Sequence, residues 1–324
     1  RILRGMEPVV LRAIALWPVE QLWAQLAVST GSRYFWPFIL GGLVIAWVAA
    51  RAGRASLYAD AGRLGYWLGA SARVDYAFVV FNPLIKFIFF SSLLMALASF
   101  GDGLIAAQPA DEMAWVWAAA LTATLFLADD FMRFFGHWLM HRVPVMWSFH
   151  RVHHAAESMT FATADRHHFM ETVFFTVPLV ATAALVNAAF IVLTGIETQP
   201  YALAGSNILL VGFNLVAGAF RHGPIWISFG PRLERWFISP AMHQIHHSVR
   251  QEHFDKNMGG TLAIWDRLFG TPHSPTGVEE LCEGIGLGED GKPLNTIPGA
   301  VLEPFGHAAR TLIGRSRRIS EHHA

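Results

Sequence analysis

The stretch DDFMRFFGHWLMHRVPVMWSFHRVHH, residues 129–154, contains five histidines, and AMHQIHH, residues 241–247, repeats the ending of that pattern. The histidines form three motifs, HxxxH, HxxHH and HxxHH. Spacings of three and four residues place side chains on one face of a helix, about 5–6 Å apart. Each motif therefore predicts a helix that presents a row of imidazoles. The motif residues are His137 and His141, then His150, His153 and His154, and finally His243, His246 and His247.

These imidazoles predict a centre of two metal ions. One histidine on an apolar helix face is usually a hydrogen-bonded packing residue, but three aligned motifs are not accidental. Eight ligands are too many for one ion, because a tetrahedral site takes four. Two ions with four or five nitrogens each fit the number. The single cysteine, Cys282, excludes a cysteine-based site, and imidazole ligands leave iron, copper and zinc open.

The composition indicates a polytopic membrane protein. Only 15 % of the residues are charged and 53 % are hydrophobic, whereas about a quarter are charged in soluble domains. Long apolar runs alternate with short polar segments, which is typical of membrane helices. The net formal charge is zero and no basic run stands out, so we expect no nucleic-acid partner. The opening RILRGMEPVV does not predict a cleavable signal peptide.

Five apolar segments are candidate spans, and we predict an all-α bundle with about four full spans. The segment 34–50 is the doubtful one and could be re-entrant. The last two candidates predict a helical hairpin over 172–218, and residues 9–28 predict an amphipathic helix on the membrane surface. The candidates are 34–50, 78–100, 113–128, 172–195 and 201–218.

The distribution of arginine predicts the orientation. The connection 51–77 and the histidine-containing segments 129–171 and 219–270 carry several arginines, whereas 101–112 carries no lysine or arginine. Positive loops favour the cytoplasmic side. We therefore predict a cytoplasmic helical cap that carries the histidines at the feet of the spans.

Further motifs make the chain similar to a known group of enzymes. Besides the stretch that ends at His154, these are DRHHFME, FRHG, SPAMHQIHHS and DKNMGGTLAIWDRLFGTP. From about Asp129 to Thr271 the chain resembles the fatty acid hydroxylase/sterol desaturase superfamily of integral membrane di-iron oxygenases. The hydropathy pattern and the resemblance together predict four parts: an N-terminal surface helix (1–33), transmembrane helices (34–128), a catalytic domain (129–270) that includes the hairpin, and a polar cytoplasmic tail (271–324).

The resemblance also implies residues beyond the three motifs. His168 and His222 are expected as additional metal ligands. The pattern Arg-x-His-x-x-Glu that ends at Glu171 favours His168 over its neighbour His167. Asp130, seven residues before His137, is expected to accept the second N–H of a ligand imidazole and so to orient it, and Glu171 is expected to act likewise. Trp265, Asp266 and Arg267 are expected to form a structural lid. Surface positions are expected for His253, His273, His307, His322 and His323.

The activity implied is hydroxylation, or less favourably desaturation, of a lipid such as a fatty acyl chain or a sterol. The implied cofactors are two Fe ions, which zinc can replace in a purified sample, together with O2. No haem or flavin motif is visible, so a ferredoxin- or cytochrome-type partner with its reductase is expected to supply electrons. The expected location is a bacterial inner membrane.

The alternative is a histidine-rich membrane protein that binds or transports metal. Transport requires ionisable residues near mid-membrane. The candidate spans hold almost none, with Lys86 as the exception, which favours the enzyme.

Overall fold

The computed structural model describes residues 36–98, 108–109, 113–203, 206–281 and 284–313. Most of these residues are helical. The α-helices are α1 (Trp36–Arg51), α2 (Leu64–Leu68), α3 (Ala70–Ala98), α4 (Ala114–Arg142), α5 (Pro144–His154), α6 (Val177–Thr194), α7 (Ile208–Val216), α8 (Pro240–His246), α9 (Ile264–Phe269) and α10 (Ile297–Leu312).

The strands are short and form three two-stranded pairs. They are β1 (Ala55–Leu57), β2 (Gln108–Pro109), β3 (Ile196–Glu197), β4 (Ala202–Leu203), β5 (Ser206–Asn207) and β6 (Ile225–Ile227). β1 pairs antiparallel with β6, β2 parallel with β3, and β4 antiparallel with β5. Two of these pairs join segments that are distant in sequence, and no layered sheet forms among the described residues.

Two of the described helices are long and apolar enough to cross a membrane. They are α4 and the continuous helix Thr172–Thr194, which begins with the π-helical turn Thr172–Thr176 and continues as α6. The two helices pack against each other. Only 22 % and 6 % of their most apolar windows are buried, so their apolar side chains mostly face outwards, as expected for helices in lipid.

The four predicted spans are not all found. The predicted span 201–218 is wrong, because the antiparallel pair of β4 and β5 precedes α7, whose 9 residues cover only about 14 Å, against about 30 Å of hydrocarbon. The doubtful segment 34–50 is the 16-residue helix α1, also shorter than a span. The segment 78–100 corresponds largely to α3, which contains Pro83. The predicted surface helix 9–28 lies outside the described residues.

The segment after residue 270 is not simply a polar tail. α10 packs along α5, the helix of the second histidine motif. Their contact includes a buried core of Val74, Phe78, Val152, Ala155, Leu294 and Ala300. The sequence missed this packing because α10 is interrupted by Gly and Pro and has apolar residues on one side only. The residues up to 313 therefore belong to the fold that supports the histidines.

A buried arginine joins α3, α5 and the C-terminal segment. The Arg166 guanidinium is fully buried and pairs with Asp75 at 3.1 Å. It donates further hydrogen bonds to Val152 O (2.8 Å) and Leu294 O (2.9 Å). Val152 lies between the histidines of α5, so Arg166 fixes the backbone that carries them. Removing one partner of such a pair typically costs 3–5 kcal/mol.

Candidate metal centre and its cavity

Helices α4, α5 and α8 bring the three histidine motifs into one cluster. α4 ends at Arg142, and Pro144 occupies the first position of α5, where its missing N–H costs nothing. At α8 the Ser239 hydroxyl accepts from Met242 N (3.2 Å), and Pro240 takes the first position. These local signals start α5 and α8 where their motifs can face α4.

The first set of converging side chains is a five-histidine group. Its members offer ring nitrogens that all lie within 4.8 Å of one another, and they are His137, His141, His150, His154 and His246. In four of them Nε2 is buried without a hydrogen-bond partner, namely His137, His150, His154 and His246. Buried polar atoms without partners are costly. Their convergence on one point fits a bound metal ion.

Two backbone carbonyls orient members of this group. His137 Nδ1 donates to Met258 O (2.8 Å), and His246 Nδ1 donates to Lys256 O (2.7 Å). A carbonyl oxygen only accepts, so Nδ1 must carry the hydrogen, and Nε2 keeps its lone pair for a metal. The tautomer of both rings is thereby fixed by the loop that follows α8.

Two carboxylates orient two more members. His150 Nδ1 lies 2.9 Å from Glu171 Oε2, and His141 Nδ1 lies 3.2 Å from Asp255 Oδ1. Carboxylates behind a ligand imidazole raise its basicity and hold the ring in place. The prediction for Glu171 agrees with this geometry. Asp255 and the two carbonyls were missed, because they lie in an irregular loop where Asp255 and Asn257 have positive φ values of 57° and 55°.

The remaining motif histidines form a four-histidine group with His222. Its members are His153, His222, His243 and His247. Nε2 of His222 lies 3.1 Å from Nε2 of His153 and 2.8 Å from Nε2 of His243. Ligand nitrogens about 2.1 Å from one ion and at right angles to each other would lie about 3 Å apart. The spacing therefore fits a second metal ion. His222, which is expected as an additional ligand, lies in this group.

Burial favours the neutral form of five imidazoles in these groups. Burial, reinforced by neighbouring imidazoles, lowers the pKa of five of them well below the usual value: His153, His154, His243, His246 and His247. Neutral imidazole is the form that binds metals. The protein thus holds these rings ready as ligands at neutral pH.

The structure corrects the expectation that His168 is a metal ligand. Its Nε2 donates to Val301 O (3.1 Å) and its Nδ1 accepts from Met170 N (3.2 Å), so both nitrogens are used by the backbone. Instead, His167 lies with His150 and Glu171 in a third group of potential ligands. Burial alone would raise the pKa of Glu171, but His167 and His150 lower it to about 2, so the carboxylate is charged.

Asp130 does not contact an imidazole, so its predicted role is wrong. Its carboxylate accepts from Thr261 N (2.9 Å), Leu262 N (3.0 Å) and Trp265 Nε1 (2.9 Å). It therefore fastens the loop whose Met258 carbonyl orients His137. Asp130 acts one step further from the metal site than the resemblance implies, and Trp265 belongs to the same fastening.

Three further histidines lie outside both groups. His253 is a correction, because it is buried rather than at the surface and its ring lies 4.9 Å from that of His273. His307 is half-buried and lies 2.8 Å from Ser148 Oγ through Nδ1. His322 and His323 lie outside the described residues.

A cavity of about 200 Å³ opens beside both groups. Its inner wall includes His137 of the five-histidine group and His222 of the four-histidine group. Arg133, Asn214 and Arg221 make part of the remaining wall polar, and Arg133 is also paired with Asp129 at 2.6 Å. The volume is below that of pockets that enclose a drug-sized molecule, so it suits the reacting part of a larger substrate.

Comparison with known proteins agrees with this arrangement. Residues 122–271 match the family model described as fatty acid hydroxylase. Over this segment, a little under half of its length, the chain resembles the fatty acid hydroxylase family. The resemblance to the wider superfamily of hydroxylases and desaturases is thereby confirmed.

Three relatives are similar over part of their length. Human alkylglycerol monooxygenase is 31 % identical over 161 residues, 48 % of this chain and 30 % of the relative. The enzyme of the same name from Xenopus tropicalis is 32 % identical over 165 residues, 49 % of this chain and 32 % of the relative. Ornithine lipid hydroxylase OlsE from Rhizobium tropici is 26 % identical over 202 residues, 62 % of this chain and 55 % of the relative.

The matched part thus spans about a third of the alkylglycerol monooxygenases and about half of the ornithine lipid hydroxylase. No solved structure matches the chain. The fatty acid hydroxylase segment contains every histidine of both groups, from His137 to His247. α10, which packs on α5, lies outside that segment.

Proposed function

We propose that this chain is a multi-pass membrane di-iron oxygenase that hydroxylates a C–H bond of a polar lipid. The observation that carries the proposal is the pair of converging imidazole groups on one cavity wall. Iron is chosen among the metals that imidazole binds because the relatives are named as a monooxygenase and a hydroxylase. The same names favour hydroxylation over desaturation.

The overall reaction balances with an external source of electrons. One C–H bond and O2, with two electrons and two protons, give one C–OH group and one water. Two irons, when bound, supply the activation of O2 that organic side chains cannot provide. The electrons are assigned to a ferredoxin- or cytochrome-type partner with its reductase.

The residues of the chain divide the remaining work. The five-histidine and four-histidine groups would each hold one ion. Glu171, Asp255 and the two backbone carbonyls orient the imidazole rings of the five-histidine group. The cavity excludes bulk water and positions the reacting carbon. We assign the cytoplasmic face to the metal end of α4, because the segments with the histidines are rich in arginine.

A polar lipid is the proposed substrate because of the cavity walls. Arg133 and Arg221 line the same cavity as the histidines, and Arg133 lies one helical turn from His137 on α4. A headgroup held by these guanidinium groups would place its nearest carbons at the metal wall. The names of the relatives, an alkylglycerol monooxygenase and an ornithine lipid hydroxylase, support a lipid with a polar headgroup.

The test is oxygen incorporation into a defined lipid. Iron-loaded protein in vesicles is supplied with isotopically labelled O2, a ferredoxin and its reductase, and one of three substrates: an alkylglycerol, an ornithine lipid or a free fatty acid. We expect labelled hydroxyl in one of the two polar lipids, none with His243→Ala, and native yield with the control His273→Ala. Protein that holds both irons and takes electrons, yet labels none of the three lipids, would refute the hydroxylase.

A further inference from the structure

A patch of exposed apolar and cationic side chains lies on the far side of the cavity wall. We call it the aromatic–arginine surface. Trp236 is 60 % exposed and Leu268 is 73 % exposed, values that are unusual for such large apolar residues gathered in one place. The apolar members are Leu233, Trp236, Phe237, Leu268 and Phe269, and the exposed cations between them are Arg232, Arg235 and Arg267.

The protein holds this surface in place with buried hydrogen bonds. Glu234 is buried, and its Oε1 accepts from Ser228 Oγ (2.8 Å), Phe229 N (3.0 Å) and Ser239 Oγ (2.7 Å). Trp236 O in turn accepts from Ala263 N at 2.9 Å. The exposed side chains on either side of Glu234 are therefore presented by a fixed turn rather than by a frayed segment.

The surface lies at the level where α4 leaves the hydrocarbon. The 29 residues of α4 are about 43 Å long, whereas the hydrocarbon core is about 30 Å thick. If the helix enters at residue 114, roughly its last nine residues extend beyond the core. The Phe269 ring lies 4.9 Å from Phe134 and 5.5 Å from Trp138, which are at this boundary.

We propose that the aromatic–arginine surface lies in the interfacial layer of an anionic bilayer. Tryptophan, phenylalanine and leucine beside arginine are the residues that anchor proteins at this depth. Arg232, Arg235 and Arg267 would meet the phosphates of the anionic lipids. Continuity with α4 and this alternation of charge favour a lipid surface over a protein partner.

This placement brings the bilayer next to the cavity. Phe237 forms a backbone bridge with Leu262, and Ile238 N donates to Thr261 O at 2.9 Å. Residues 259–261 are themselves part of the cavity wall. A lipid at interfacial depth would thus be separated from the cavity by a single backbone segment, and the cavity could receive substrate sideways from the leaflet.

The depth can be measured with nitroxide labels. Cys282, the only cysteine, is replaced by serine, and single cysteines are placed at Leu233→Cys, Leu268→Cys and the control Glu289→Cys, whose side chain is 84 % exposed. The labelled proteins are reconstituted in vesicles that contain anionic phospholipid. Collision rates with O2, which concentrates in the bilayer, and with a water-soluble nickel chelate are then compared. Native metal content shows that each variant is folded.

We expect the ratio of O2 to nickel collisions at positions 233 and 268 to be several-fold higher than at 289. Arg232→Glu with Arg235→Glu should lower the ratio at 233 in anionic vesicles and leave it unchanged at 289. Ratios at 233 and 268 equal to that at 289 would place the surface in water. Low rates with both reagents would place it in a protein contact. Either result would overturn the proposal, and neither depends on turnover.

Discussion

The two groups of histidines lie side by side but are held in different ways. In the five-histidine group, His137 and His246 donate to backbone carbonyls, and His150 faces a carboxylate. In the four-histidine group, His222 Nε2 lies between Nε2 of His153 (3.1 Å) and Nε2 of His243 (2.8 Å). His247 has both nitrogens buried without a hydrogen-bond partner.

The ligand imidazoles of the two groups are therefore preorganised for their ions to different degrees. Ligands already oriented by hydrogen bonds lose little freedom on binding, whereas a ring whose nitrogens lack such bonds, such as that of His247, must be oriented by the ion itself. The five-histidine group should therefore bind the tighter ion, and the four-histidine group the more exchangeable one. Each prediction below tests or sharpens that contrast.

The largest effect is expected from His243→Ala. The change leaves three ligands in the less organised group, so metal content should fall from about two ions per chain to about one. Activity should fall to background, because the reaction needs both ions. Elemental analysis and the lipid assay measure the two effects. A variant that keeps both ions would contradict the assignment of this group.

A change that affects both groups equally is Arg166→Gln. Arg166 holds Val152 O, and residues on both sides of Val152 supply ligands to the two groups. Loss of the buried pair with Asp75 should lower the free energy of unfolding by about 3–5 kcal/mol. Denaturant unfolding of the metal-loaded protein measures this. We expect both histidine groups to lose the same factor in affinity for their ions. A loss of affinity in one group alone would show that Arg166 does not act through α5.

Glu171→Gln should act on the five-histidine group alone. The amide keeps the shape of the side chain but removes the negative charge beside His150 Nδ1. The affinity of the five-histidine group for its ion should therefore fall about 10- to 100-fold. Competition with a chelator gives both affinities, and Glu289→Gln serves as an exposed control. If the four-histidine group weakened as much as its neighbour, the separation into two groups would be wrong.

The smallest effect is expected from Trp265→Phe. It removes the indole N–H that donates to Asp130 (2.9 Å) and keeps the ring packed on Phe131. The loss of one hydrogen bond should lower stability by about 0.5–1.5 kcal/mol. The affinity of the five-histidine group for its ion should fall slightly, because the loop that contains Met258 becomes less well held. Thermal unfolding and chelator competition should both detect the change, and an unchanged protein would show that Asp130 does not need this bond.

The sequence was most informative where a helix carries the signal. Spacings of three and four residues place the motif histidines on single faces of α4, α5 and α8, and the structure brings all eight together with His222. Their role as metal ligands stays a prediction. Asp130 is singled out by its spacing from His137, but its hydrogen-bond donors lie more than a hundred positions away in the sequence. Spacing on one helix cannot reveal such contacts.

Irregular backbone explains most of what the sequence missed. The choice between His167 and His168 depends on a turn without helical periodicity, and the carbonyls of Lys256 and Met258 carry no side-chain signal. The apolar run 201–218 is predicted as a span because hydropathy does not register the pairing of β4 with β5. α10 was missed because its partner face on α5 exists only in the folded chain.

The most direct test of the two-group account is the metal content of the native protein, purified from membranes with ample iron. Elemental analysis is made on the native chain, His246→Ala and His222→Ala, with His273→Ala as a control. We predict about two irons per chain in the native and control proteins and about one in each of the other variants. Metal at background in the native protein, or the loss of both ions in either variant, would contradict it.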